Sequence, residues 1–253
     1  MTSLVVSGLS YDYEDGFRAL DNVTFEVQKG SCLCVAGANG SGKSTLLQLI
    51  AGCMKPAEGD IRMDGISIFR DKTKSSNTGI VFQEPDNQLF MPTVWEDAAF
   101  ALLKKGMSIA GAKEAALAAL KMVDAEYIAE RPSYKLSGGE KQRAAIASVL
   151  SSFQGDITNK VILIDEPTAS LDPLARKKLI AIIKQLSCTR IIATHDLDMA
   201  LDICDAVLFL FKGKIVSDCT TAGSCSFSKN LLSDEQFLQS IGLELPLCKQ
   251  KNL

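Results

Sequence analysis

The chain has 253 residues, 47% of them hydrophobic and 23% charged, with a net charge of −3 and a pI near 5.4. That length supports one large core, or a core with a subdomain inserted into it. The acidic balance offers no basic surface to a polyanion, so no nucleic-acid partner is expected.

In chain order, residues 2–30 read as strands. LVVSGLSYDY comes first, then ALDNVTFEVQKG, which alternates apolar and polar residues up to a Lys-Gly turn. CLCVA (32–36) is a short apolar run that fits a buried strand, and TLLQLIAG, soon after it, has helical spacing. KPAEGDIRMDGISI reads as a turn and a further strand pair punctuated by Gly59 and Gly65, and DKTKSSNT (71–78) as an exposed polar loop. From about residue 85 to 152 the chain is rich in alanine and leucine at 3–4 spacing, which predicts helices. Beta character returns at VILID (161–165), IIAT (191–194) and AVLFLF (206–211). Between the first two lies the helix PLARKKLIAIIKQLS, with Pro173 in its first turn. The pattern is an α/β core interrupted by a helical subdomain.

Eight cysteines occur without a CxxC pair, several of them inside apolar runs. Reduced, mostly buried thiols of a cytosolic protein are the expectation. MTSLVVSGLS lacks the basic region and long apolar stretch of a signal peptide, and no run reaches the roughly 20 apolar residues of a membrane span. Any membrane role is therefore expected to be peripheral.

Between the strand at 32–36 and the helix that follows, Gly37-Ala38-Asn39-Gly40-Ser41-Gly42-Lys43-Ser44-Thr45 has the Gly-x4-Gly-Lys-Ser spacing of a phosphate-binding loop. Glycines let the backbone turn its N–H groups inward, and the helix N-terminus backs them with positive charge. Lys43 is expected to reach the β- and γ-phosphates of a nucleoside triphosphate, and Ser44 to offer a hydroxyl to Mg²⁺. Asp165 and Glu166 end the VILID strand, where α/β folds place their ligands. Asp165 suits the Mg²⁺ shell, while Glu166 projects differently and can polarise a water. His195, the only histidine, follows the IIAT strand. A second helix N-terminus stands at Leu136-Ser137-Gly138-Gly139-Glu140, ahead of KQRAAIASVL. Its free amides suit another anion, although Lys43 already serves one.

The pentapeptide LSGGE, with Ser137 placed 94 positions after Lys43, resembles the signature of ABC ATPases. The resemblance runs from the first strand to about residue 217. It implies a P-loop NTPase core (ABC ATPase) of α/β class, with an N-terminal antiparallel β subdomain and an inserted α-helical subdomain. The core is expected at 1–84 and 153–217, the helical signature subdomain at 85–152, and a short helical tail at 218–253. It further implies ATP as ligand, held by Asn39, Gly40, Gly42, Lys43, Ser44 and Thr45, with Tyr13 stacking on adenine. Tyr11 is the competitor, since alternation puts both tyrosines on one strand face; spacing to the next strand favours Tyr13. Ser44, Gln83 and Asp165 are the implied Mg²⁺ residues, and Glu166, His195 and Gln83 the catalytic ones. Ser137, Gly138, Gly139 and Glu140 are implied to contact the ATP of a partner protomer, with Asp172 in the D-loop (Ser170-Leu171-Asp172-Pro173) crossing that interface.

Within that family the chain looks most like the ATPases of energy-coupling factor transporters, importers of vitamins and transition-metal ions. The carriers of this likeness are Pro85-Asp86-Asn87-Gln88, the following TVWEDAAFAL and the tail LLSDEQFLQSIGLELP. Glu84 and Glu140 stand where asparagine and glutamine are common. The implied partners are a second ATPase protomer, identical or not, and integral membrane transporter subunits, with the ATPase peripheral on the cytoplasmic face of the membrane. The competing readings are the ATPase of an importer fed by a solute-binding protein, and a soluble ABC protein of cofactor assembly.

Overall fold

Alternation fixes the first layer. Strand β1 (Thr2–Asp12) pairs antiparallel with β2 (Arg18–Gln28), whose residues alternate between buried and solvent-facing over most of its length. One face of such a pair needs a partner layer, and the period of 2 turns every second side chain towards it. β4 (Glu58–Met63) and β5 (Ile66–Ser67) extend this sheet in the order β2-β1-β4-β5, joined by a tight turn in which Asp64 and Gly65 both have positive φ. These elements come from a computed structural model that describes residues 2–70, 77–153, 155–169, 171–216 and 229–250.

The second sheet is built from apolar runs with no alternation, as strands covered on both faces require. β3 (Cys32–Ala36), β6 (Thr78–Val81), β7 (Val161–Asp165), β8 (Thr189–Thr194) and β9 (Ala206–Phe211) are parallel, and β10 (Lys214–Ile215) adds an antiparallel edge. The order is β10-β9-β3-β8-β7-β6. Leu33, Val35, Leu163 and Ile191 pack on one face with the antiparallel sheet and helix α1 (Lys43–Ile50). Cys34, Ile162, Ile164 and Ile192 pack on the other face with helices α4 (Gly138–Ser152), α5 (Pro173–Gln185) and α6 (Leu197–Ile203). The result is three layers around the parallel sheet.

Two further helices, α2 (Val94–Lys104) and α3 (Ile109–Met122), precede α4 and pack against it. Ala98, Ala99, Leu102, Ala112 and Ala116 form their shared small core, where alanine lets the helix axes approach closely. Asp97 ties the preceding loop to α2 by accepting from the Phe90 and Met91 amides, both at 2.9 Å. The end of the chain returns to the main core: Leu232, Leu238, Ile241 and Leu243 are buried beside helices α7 (Glu235–Ser240) and α8 (Leu247–Gln250).

The α/β class and the two-sheet architecture expected from sequence are present. β10 and α6 were not expected. The first arises from a two-residue turn, with Lys212 at φ 48° and Gly213 at φ 77°, which folds β9 back on itself. The second is capped by Asp196, whose carboxylate accepts from the Met199 amide at 3.0 Å. PDNQ forms a single 3-10 turn over Pro85–Asn87. Cys32, Cys34, Cys188 and Cys204 are buried and Cys53 and Cys248 exposed, with no disulfide among the described residues. Ser170, Cys219, Cys225, most of the polar stretch 71–78 and the first part of the tail lie outside the described residues. Among the described residues, no helix is long and apolar enough to cross a membrane.

Leu163 is fully buried in the middle of the parallel sheet. Leu163→Ala should lower unfolding free energy by about 2–5 kcal/mol, the cost of a cavity in a rigid core. Urea denaturation tests this through a lowered midpoint with an unchanged m-value; a loss below about 0.5 kcal/mol would show that this core relaxes freely around the deletion.

Candidate active site

Parallel pairing delivers three loops to one edge. The register sets Ala36 opposite Thr194 and Asp165 opposite Ala193. Gly37, His195 and Glu166 therefore leave the sheet at neighbouring points on its carboxyl end, where α/β folds bind ligands. Gln83 lies two residues beyond the end of β6, on the same edge.

The loop 37–42 bends into a cradle ahead of α1. A Cβ on Gly37 would stand 2.4 Å from the Leu210 carbonyl oxygen and 2.5 Å from Ser41 Oγ, so no other residue fits there. Gly42, the N-cap of α1, has φ 105° and makes no side-chain cap, which leaves the first amides of the helix unclaimed by side chains. Lys43 is 6% exposed and its Nζ donates to the carbonyls of Gly37 at 2.8 Å and Ala38 at 3.2 Å.

Glu166 joins this loop to the histidine. Its Oε1 is 3.4 Å from Lys43 Nζ, and its Oε2 accepts from Thr194 Oγ1 at 3.1 Å and from the His195 amide at 3.4 Å, with His195 Nδ1 2.9 Å away. The glutamate has φ 43°, a left-handed conformation that costs a non-glycine residue energy, and its amide is held by the Ala193 carbonyl at 2.8 Å. The strain turns a buried carboxylate back between Lys43 and His195 rather than onward along the strand. His195 is more than half exposed, with Nδ1 the ring nitrogen nearest Glu166.

Asp165 is 6% exposed, and its Oδ1 has no hydrogen-bond partner. Burial raises its carboxyl above the usual value, opposed by the hydrogen bond from the Ser44 hydroxyl; Glu166 adds to the rise and Lys43 opposes it. A buried carboxylate oxygen with a spare lone pair, beside an exposed hydroxyl, is a hard oxygen donor set. It fits the Mg²⁺ that a phosphate-binding loop implies.

Tyr13, Phe17, Asn39, Gly40, Gly42, Lys43, Ser44, Thr45, Gln83 and Glu166 all line one cleft of about 420 Å³, within the range of small-molecule sites. Tyr13 closes one end, its hydroxyl 2.9 Å from Thr45 Oγ1. Tyr11 instead packs against the hydrophobic core and meets the Tyr13 ring edge-on at 5.1 Å, so of the two only Tyr13 reaches the cleft. Phe17 was missed. It follows Tyr13 across the Gly16 turn, where the Tyr13 amide donates to its carbonyl at 2.9 Å.

Ser137, Gly139, Glu140 and Asp172 line a different cleft, with Tyr127 and Arg143. Ser137 caps α4 and Glu140 reaches back to it, a reciprocal capping box. Asp172 caps α5 by accepting from the Leu174 and Ala175 amides at 3.0 and 2.9 Å. No residue lines both clefts. One chain therefore brings Tyr13, Asn39, Gly40, Gly42, Lys43, Ser44, Thr45, Gln83 and Glu166 together, with Asp165 and His195 bonded to them, and leaves Ser137 to Glu140 and Asp172 apart.

Residues 20–169 match the ABC transporter family. The energy-coupling factor transporter ATP-binding protein EcfA of Methanosphaera stadtmanae is 36% identical over 252 residues, covering 97% of this chain and 86% of that protein. The cbiO1 protein of Clostridium perfringens, part of the ABC transporter complex cbiONQ, superposes with a TM-score of 0.75 at 36% identity, over 85% of this chain and 87% of its own. The ATP-binding cassette MJ0796, solved as a dimer bound to ADP and Pi, gives a TM-score of 0.72 at 29% identity, over 85% of this chain and 97% of that one. Other relatives carry names that go no further than ABC transporter ATP-binding protein.

Gly42→Ala should destroy this cradle. A Cβ there would lie 2.7 Å from the Ala19 carbonyl oxygen at a φ that L-residues rarely adopt. We expect a loss of about 2 kcal/mol or more in stability, together with loss of nucleotide binding by titration calorimetry. Wild-type affinity in the variant would mean that the loop does not need this conformation.

Proposed function

This chain belongs to the ABC transporter family as an ATP-hydrolysing subunit, and from that premise we propose that it powers an energy-coupling factor importer of a vitamin or transition-metal ion. In that role it works as one of two ATPase protomers docked on integral membrane subunits at the cytoplasmic face. The observation that carries the dimeric mechanism is the separation of the two clefts, each of which has only part of a nucleotide site. A two-fold arrangement sets the Lys43 cleft of one protomer against the Ser137 cleft of the other, twice. The relatives EcfA and cbiO1 support the transporter type through their own names, and the dimeric MJ0796 cassette supports the pairing.

The residues then divide the chemistry. Adenine stacks on Tyr13, and the phosphates meet the Asn39–Gly42 loop and the first amides of α1. Lys43 leaves the Gly37 and Ala38 carbonyls for the β- and γ-phosphate oxygens. Ser44, Gln83 and Asp165 hold Mg²⁺, which when bound supplies positive charge to offset the phosphates. As Lys43 turns to phosphate, Glu166 keeps its bond to His195 and takes the attacking water as its new partner. His195, anchored through Nδ1, presents Nε2 to the γ-phosphate. ATP contacts both protomers and ADP fewer of them, so nucleotide state shifts the closed-to-open equilibrium.

Glu166→Gln keeps the shape of the site but removes the charge that polarises water. Turnover should fall by about 10²-fold or more, while ATP drives a stable dimer visible by analytical ultracentrifugation. Fast turnover by this variant would remove Glu166 from the role. Tyr13→Ala should weaken ATP binding by about 1 kcal/mol, roughly fivefold by fluorescence titration. Native mass spectrometry of the detergent-extracted complex tests the transporter assignment: integral membrane subunits are expected, and a protein recovered without them would point to soluble assembly work instead.

A further inference from the structure

We infer that Glu140 is a positioning residue that gates the signature serine: within one protomer its carboxylate holds the Ser137 donors that the partner's ATP has to recruit. The inference rests on the reading that the Ser137 cleft receives the nucleotide of a second protomer. Glu140 Oε2 accepts from the Ser137 amide at 2.8 Å and from the Ser137 hydroxyl at 2.8 Å. A phosphate oxygen at the start of α4 needs these same donors. The negative charge of the carboxylate therefore sits where the negative charge of the phosphate must go.

The opposite oxygen is clamped. Tyr127 donates to Glu140 Oε1 at 3.1 Å, and Arg131 lies 3.8 Å from it. Tyr127 in turn accepts from Arg143 Nη2 at 2.8 Å, and the buried guanidinium is fixed by the carbonyls of Asp124 and of Gly139. A continuous chain of hydrogen bonds thus runs from Arg143 through Tyr127 and Glu140 to Ser137, along one cleft. The carboxyl lies below its usual range, chiefly through the Ser137 amide, and is charged at neutral pH.

Capping alone does not call for this charge. A glutamine at the third helical position closes the same box. The surplus charge has a consequence for the cycle: each closing dimer has to pull two serines from two carboxylates. ATP, with its γ-phosphate, competes for those donors, whereas after hydrolysis the box re-forms and favours opening.

The test compares Glu166→Gln with Glu166→Gln/Glu140→Gln. The readout is the ATP concentration that gives half-maximal dimer in ultracentrifugation, with ADP affinity and melting temperature as controls. Replacing a charge-assisted hydrogen bond by a neutral one should lower the half-point about three- to tenfold. ADP affinity should stay unchanged, the melting temperature should fall by only a few degrees as the weakened cap requires, and the gap should narrow as salt screens the charge. A half-point that is unchanged or raised overturns the gate, while the ATP-dependent dimer of Glu166→Gln still upholds the functional reading. Absence of any ATP-driven dimer in either protein removes that reading and the gate with it. Tyr127→Phe provides the second arm, since this ring is largely exposed and its loss of one hydroxyl spares the fold. Its shift should be in the same direction and should disappear in the presence of Glu140→Gln; additive shifts would overturn the hydrogen-bond chain.

Discussion

Lys43 and Glu166 are both about nine-tenths or more buried and lie 3.4 Å apart, and much of the molecule serves to keep them there. Two charges removed from water are tolerated only when each finds compensation. Lys43 takes the Gly37 and Ala38 carbonyls; Glu166 takes Thr194 and His195. Glu166 and those partners come from three separate strand ends, so the pair exists only because β3, β7 and β8 lie side by side in register. Glu166 Oε1 and Asp165 Oδ1 have no hydrogen-bond partner among the described residues. Under the proposed function, the cluster exchanges these internal contacts for phosphate, cation and water.

The helical part of the chain solves a different problem. Its helices share an alanine-rich core and meet the main body through α4, so the start of α4 is presented away from the Lys43 cleft. That helix end is capped locally by Ser137 and Glu140. In the proposed dimer, the satisfied cap and the anion site are the same atoms in two uses. That double use gives the Glu140 charge its significance.

Legibility in the sequence followed the range of the interaction. Strands β3, β7 and β8 were readable because burial on both faces leaves an uninterrupted apolar run, and the phosphate-binding loop because its glycines and lysine are contiguous. β10 was missed: its two residues carry no pattern, and only the positive φ values at Lys212 and Gly213 create it. Phe17 was missed because the Tyr13–Phe17 turn is closed by a backbone bond that leaves no compositional mark. Tyr127 was invisible for a stronger reason, since its partners Glu140 and Arg143 reach it only after α4 has docked on the preceding 3-10 turn.

The amino-acid sequence by itself determined the α/β class, the order of the motifs and the residue types that meet phosphate, because these depend on local spacing and period. It also marked two helix N-termini as expected anion sites. Tertiary structure alone decided that Glu166 turns back through a strained backbone to join Lys43 and His195, and that Tyr13 rather than Tyr11 reaches the cleft. It decided as well that the two N-termini open into separate clefts of one chain. Those outcomes depend on which strands become neighbours and in which register, a long-range choice made by the packing of the whole core rather than by any single segment.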